Sequence, residues 1–334
     1  MTDELRDELA DGYDVVVLGG GAAGLNGALM LARARRSVVV VDAGARATPR
    51  PRRARAAGPG GHAARGTAGA RPGRGPPLRR PRGGREVATV GAATVDGDGQ
   101  EFTVALADGR SVRARRLLVA TGLVDELPDL PGLRERWGHD VLHCPYCHGW
   151  EVRDQAVGVL ASGPMSVHQA LLFRQWSDDI TYFTHTLAPP TDEQAEQLAA
   201  RGVRVVTGEV AALETAEDRL VGVRLRDGTM VAREALAIAP RMSARAGFLA
   251  ALGCARRNTL GAGEYVPVDA SGRTDVPGVW AAGNVADLTA QVGAAAAAGA
   301  MAGAQINADL VAEETRRAVA AHRATTPGGP STAV

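Results

Sequence analysis

Tyr13 to Gly44 reads YDVVVLGGGAAGLNGALMLARARRSVVVVDAG. The order is strand, glycine turn, helix, strand. The first strand is an unbroken apolar run, as expected when both faces of a parallel sheet are covered. Gly19, Gly21 and Gly24 form G-x-G-x-x-G at the start of the helix, with Ala22 and Ala23 inside the motif. Asp42 ends the second strand about 20 residues on, where a ribose-binding acid belongs. The glycines let backbone approach a pyrophosphate, and the helix N-terminus favours its charge. The motif alone is weak evidence. Strand, helix and terminal acid together indicate a dinucleotide-binding α/β unit.

Further along, EFTVALADGRSVRARRLLVATG (Glu101–Gly122) reads as a hairpin about Asp108-Gly109, then a buried strand ending at Thr121-Gly122. A second α/β unit runs from about Val141 to Ala239, and a helix rich in alanine and glycine from about Gln291 to Val311. Small residues on that helix allow close approach to a backbone or a cofactor. A frayed tail is expected after Arg323. Cys144 and Cys147 form a C-x-x-C, and Pro145 suits the first turn of a helix. A cysteine at a helix N-terminus has its thiolate stabilised by unpaired N–H groups. The pair is therefore a redox centre or half of a zinc site. Zinc needs two more ligands. His143 and His148 are near, but there is no second C-x-x-C, so the expectation is no metal. Cys254, His168, His185, Trp150 and Trp176 are read as structural residues.

The chain has 334 residues, enough for two domains. Its net charge of +1 gives no case for nucleic acid. No apolar run is long enough to span a bilayer, and the acidic start MTDELRDELADG is unlike a signal peptide. The expectation is a cytoplasmic protein without membrane contact. All 38 basic residues are arginine, and 12 of them fall in Arg46–Arg85. That segment has no acid, no β-branched aliphatic and no aromatic residue, too little apolar surface to order itself. A basic insert and a GC-rich gene read out of frame would both produce it.

Four motifs, GGGAAG, LLVATG, CPYCHG and VWAAGNVAD, occur in that order. Together they resemble the thioredoxin reductase-like, FAD-dependent pyridine nucleotide-disulfide oxidoreductases, over nearly the whole chain outside Arg46–Arg85. The resemblance implies two Rossmann-like domains of three-layer ββα type, with the FAD domain discontinuous. Residues 1–122 and 246–323 would form the FAD domain, 123–245 the nucleotide-like domain carrying the C-x-x-C, and 324–334 a tail. It implies a homodimer. FAD contacts would fall to Gly19, Gly21, Ala22, Ala23, Gly24, Asp42, Thr121, Gly122, Gly283, Asn284 and Asp287, and to the backbone amides of Gln291 and Val292. Asn284 stands where the family commonly has aspartate, and the acid comes three residues later. By the same resemblance Cys147 faces the flavin, Cys144 exchanges with substrate, and His148 holds the acid/base position. An imidazole there moves protons near neutral pH.

A nicotinamide site would need a second glycine loop after the strand that follows the C-x-x-C. That loop reads GVLASGPMSVHQA. Ala161, Gly163 and Ser166 occupy the glycine positions, and Pro164 removes an N–H. The next strand is followed by FTHTLAPP, without arginine for a 2′-phosphate. Both features, and APRMSARAGFLAALGC (Ala239–Cys254), fit the gliotoxin- and holomycin-type dithiol oxidases. Such an enzyme closes a disulfide in a small natural-product dithiol and passes the electrons to O2. The alternatives are a thioredoxin-type reductase fed by NADPH or another donor, and a non-catalytic flavoprotein.

Overall fold

The computed structural model describes residues 10–44, 87–94, 100–259 and 263–325. The Arg46–Arg85 segment lies outside them. The first sheet runs Val38–Val41, Gly12–Leu18, Ser111–Val119, Gln100–Leu106, Val87–Thr94, and Val279–Ala281 pairs with the end of Ser111–Val119. Its centre is parallel, and its outer strands form antiparallel hairpins, one of them turning at Asp108-Gly109. The apolar runs are buried on both faces, as their composition requires. Val15, Val17, Val40 and Leu118 face the helices, whereas Val16, Leu18, Val39, Val41 and Val119 pack with Phe102, Val104 and Leu249.

The middle of the chain builds a second sheet, all parallel, in the order Arg204–Val206, Ile180–Phe183, Val157–Leu160, Ala235–Ile238, Val141–Leu142. Val157, Val159, Ile180 and Tyr182 pack under helices on one face. Leu160, Phe183, Leu236 and Ile238 pack on the other against a three-stranded antiparallel sheet. These are the three layers of a Rossmann-like ββα unit. The two sheets are joined by Leu123–Glu126 and Arg241–Ala244, which pair antiparallel. The joint is reinforced by the Thr121 hydroxyl donating to the Arg245 carbonyl at 2.7 Å, and by the Arg245 N–H donating to Gly122 at 2.9 Å.

The alanine- and glycine-rich helix lies against backbone, that of the first helix, Ala22–Arg33. A Cβ on Gly299 would sit 2.0 Å from the Ala23 carbonyl oxygen, and one on Gly303 would sit 2.7 Å from that of Gly27. Only glycine permits this approach. The last helix spans Val292–Thr325, well beyond the expected end at Val311. Ion pairs explain the extension. Glu313 meets Arg115 and Arg116, Glu314 meets Arg36 and Arg115, and Asp309 meets Arg116 and Arg273. A further helix, Asp192–Ala200, was not expected. It begins with a reciprocal capping box between Thr191 and Gln194, a signature the sequence does carry.

Gly299→Val is expected to destabilise the protein by about 3 kcal/mol, through forced overlap in a packed core. Gly293, whose Cβ would meet nothing within 4 Å, accepts alanine without loss. Thermal unfolding of both variants checks this. The Arg36 and Arg115 guanidiniums hold the Glu314 carboxyl at about 2. Because this pKa is depressed, the stabilisation is complete above the ordinary carboxylate range and is lost as pH falls towards about 2. The stability difference between wild type and Glu314→Gln, read by denaturant melts, is expected to persist at pH 6 and shrink to nothing near pH 2.

Candidate active site

The first glycine loop is shaped by close contacts. Gly19 has φ +104°, and a Cβ there would lie 2.3 Å from the Ala120 carbonyl oxygen; a Cβ on Gly24 would lie 1.9 Å from that of Gly19. Gly21 differs: nothing lies within 4 Å of its Cβ position, so its outer side is open. Gly21 is the N-cap of the first helix and no side chain caps that end, so the amides of Ala22 and Ala23 head a helix without intrahelical partners. Asp42 accepts from the Gly20 N–H and from the Gly44 N–H at 2.6 Å, which anchors the acid beside the loop. Gly283 (φ +78°) brings its Cβ position within 3.0 Å of Ala23. The VWAAGNVAD turn therefore abuts the GGGAAG turn, although some 260 residues separate them. Gly122 (φ +71°) is also open on its Cβ side.

Asn284 organises the chain beyond. Its Nδ2 donates to the carbonyls of Asp287 (3.1 Å), Leu288 (3.3 Å) and Ala290 (3.0 Å). The Asp287 carboxylate accepts from the Thr289 N–H and hydroxyl at 2.9 and 2.7 Å, so this acid shapes the loop. The loop delivers Gln291 and Val292, both exposed at the start of the last helix.

Cys144 and Cys147 form a disulfide with a Cα separation of 5.2 Å. Cys144 is the N-cap of the short helix Pro145–His148, with proline at its start. His148 is half-buried, and its backbone N–H donates to the Cys144 carbonyl at 3.1 Å. Burial pushes the His143 imidazole below its ordinary pKa, against the pull of the Asp125 charge. Gly149 is required by the Pro145 carbonyl oxygen and the Trp176 ring, which would lie 2.5 and 2.9 Å from a Cβ, and Tyr146 meets the same ring edge-on at 5.7 Å. The disulfide faces the start of the last helix: Gln291 Nε2 is 3.7 Å from Cys144 Sγ and 3.8 Å from Cys147 Sγ. This contact was not foreseen. Gln291 was singled out for its backbone amide, and no local signal joins residues 144 positions apart.

The second loop is closed by its own side chain. Buried Ser166 Oγ accepts from the Ser162 N–H at 3.0 Å and the Gly163 N–H at 3.1 Å. These are amides that a phosphate would need. His185 accepts the Val210 N–H on Nδ1 at 3.0 Å, a structural role as expected. One expectation is corrected, and a second is narrowed: Trp150, read as a core or interface residue, is not in the core. His168 is exposed, because it lies on the outer side of a helix buried through Val167 and Ala170. Trp150 is exposed as well and stacks under Arg153 at 4.3 Å; the cation offsets its loss of core packing. Trp176 is half-buried against Phe173.

Residues 13–303 match the family described as pyridine nucleotide-disulphide oxidoreductase. The chain belongs to that family. Among solved structures, HlmI is 46% identical and covers 94% of this chain and 98% of its own, with a TM-score of 0.77. The oxidoreductase from Agrobacterium tumefaciens is 31% identical, covers 90% of this chain and 99% of its own, and has a TM-score of 0.72. Thioredoxin reductase tcpT of Claviceps purpurea (strain 20.1) is 29% identical over 81% of this chain and 86% of its own. The oxidoreductase is thus a thioredoxin reductase-like flavoprotein, and its cofactor is FAD. The first loop fits that cofactor: its open side at Gly21, its uncapped helix start and the anchored Asp42 are what a dinucleotide requires. No helix among the described residues is long and apolar enough to cross a membrane.

Burial raises the Cys254 thiol to about 11, helped by Asp275. In the oxidised protein at pH 8, iodoacetamide is therefore expected to modify no cysteine quickly. After dithiothreitol, Cys144 and Cys147 react fast and Cys254 stays slow. Rapid labelling of Cys254 in the folded protein, followed by peptide mass mapping, would contradict this assignment.

Proposed function

We propose that this oxidoreductase is a dithiol oxidase: it closes a disulfide in a small-molecule dithiol of the natural-product type, with O2 as the final acceptor. The observation that carries the reading is Ser166 holding the Ser162 and Gly163 amides. With Pro164 beside them, which has no N–H, a nicotinamide dinucleotide does not find these loop amides free for its phosphates. Electrons then have to enter from the thiol side. The 46% identity to HlmI over nearly the full chain supports a common architecture.

A substrate thiolate attacks Cys144 Sγ, the Cys144–Cys147 bond breaks, and Cys147 leaves as a thiolate. The second substrate thiol attacks its partner sulfur on Cys144, which releases the closed substrate disulfide and the Cys144 thiol. His148 takes the proton lost by the substrate thiol and returns it to the cysteine side. The substrate has lost two electrons and two protons, and the cysteine pair holds them. Gly19, Gly21, Ala22, Ala23, Gly24, Asp42, Thr121, Gly122, Gly283, Asn284, Asp287 and the amides of Gln291 and Val292 would hold FAD, which when bound would supply two-electron transfer from the reduced pair to O2, giving H2O2.

The test is oxygen consumption with a small dithiol under air. The expected result is one peroxide formed per disulfide closed, with turnover reduced at least a thousandfold in Cys144→Ser and in Cys147→Ser. Full turnover in either variant would remove the C-x-x-C from the mechanism. Rapid NADPH oxidation with transfer to thioredoxin would replace the oxidase with an ordinary reductase. Failure to retain FAD would leave only a non-catalytic chain.

A further inference from the structure

The Gln291 side chain reaches across from the start of the last helix and places its carboxamide on both sulfurs: Nε2 is 3.7 Å from Cys144 Sγ and 3.8 Å from Cys147 Sγ, and Oε1 is also 3.8 Å from Cys147 Sγ. Its backbone is fixed on both sides. The Ala295 N–H donates to the Gln291 carbonyl at 2.8 Å, and Asn284 holds the preceding Ala290 carbonyl at 3.0 Å. The helix behind it is seated through Gly299 and Gly303 on the first helix. The carboxamide is thus delivered to the disulfide by a rigid support.

We infer that Gln291 is a catalytic residue whose carboxamide N–H stabilises the thiolates that Cys147 and then Cys144 become during exchange. The inference rests on the reading of Cys144–Cys147 as the redox pair. A disulfide sulfur is a weak acceptor and a thiolate a strong one, so the same N–H contributes far more after the bond breaks than before. An interaction strengthened along the reaction lowers its barrier, and one strengthened in the product shifts the equilibrium. In the first exchange the S–S bond breaks and its electron pair goes to Cys147 Sγ, which has Nε2 and Oε1 both at 3.8 Å, and a small turn of the carboxamide brings the donor rather than the oxygen onto the new thiolate. In the second, the Cys144–substrate bond breaks and the pair goes to Cys144 Sγ, 3.7 Å from the same atom. The two hydrogens of one –NH2 serve both leaving sulfurs in turn. Stabilising the reduced form also makes the pair a stronger oxidant towards its dithiol.

The test is an anaerobic redox titration of the FAD-loaded protein against reduced and oxidised dithiothreitol, with acid quench, alkylation and mass counting of the peptide carrying Cys144 and Cys147. Gln291→Leu is expected to lower the equilibrium constant for reduction about tenfold, a potential about 30 mV more negative. The pH profile for alkylation of the reduced pair is expected to move to higher pH. Gln291→Glu moves both further in the same direction, because a carboxylate opposes a thiolate. Gln291→Lys, which restores an N–H donor and adds charge, returns both to wild type or beyond. FAD content is measured for each variant, and the potentials are compared at equal FAD loading. An unchanged potential and pH profile in Gln291→Leu, or no order among the three variants, overturns the inference. A wild-type pair that dithiothreitol cannot reduce overturns the proposed function as well, so the two failures are distinguishable.

Discussion

The site depends on two helices touching through glycine. Gly299 and Gly303 of the last helix lie on the Ala23 and Gly27 backbone of the first, so two segments nearly the length of the chain apart share one surface. That contact sets the open Gly21 loop and the Gly283 turn against each other. It also fixes where the last helix begins, and hence where Gln291 meets the disulfide. No attractive force of comparable specificity is needed there: removing two side chains lets carbonyls and Cα atoms make contacts that any larger residue would prevent. The arginine–carboxylate cluster around Glu313 and Glu314 then holds the far end of the same helix.

Much of this was legible because the governing signals are local. The buried parallel strands are written as VVVL, VVVV and LLVA. The first glycine turn carries its spacing, the acid Asp42 follows at the expected distance, and Pro145 announces a helix after Cys144. The Asp108-Gly109 turn sits where a hairpin needs it. Each of these needs only neighbours in sequence, and each is in place.

What was not legible is tertiary. The length of the last helix was underestimated because composition changes from alanine to charge after Val311, and the partners of that charge, Arg36, Arg115 and Arg116, come from distant strands. Gln291 carries no local mark of its contact with sulfur. Ser166 was legible only as a missing glycine; its hold on two loop amides depends on its burial at 0% exposure and on the rotamer that burial imposes. Trp150 was legible only as a core or interface residue; its exposure excludes the core, and its cation partner Arg153 lies just three residues away without a pattern to announce it.

The two strand–loop–helix turns of this protein differ in what their loop amides meet. In the first, the space above Gly21 is open and the amides await a ligand. In the second, the Ser166 hydroxyl accepts from the amides in the place of a phosphate. If that difference is what the fold means chemically, the dithiol and the nicotinamide are not interchangeable as electron donors. The direct measurement is an anaerobic stopped-flow comparison that follows the visible absorbance of the bound flavin. A small dithiol should bleach it in a single fast phase, whereas NADPH and NADH leave it unchanged over the same interval. Fast bleaching by NADPH, with the dithiol inert, would contradict the account.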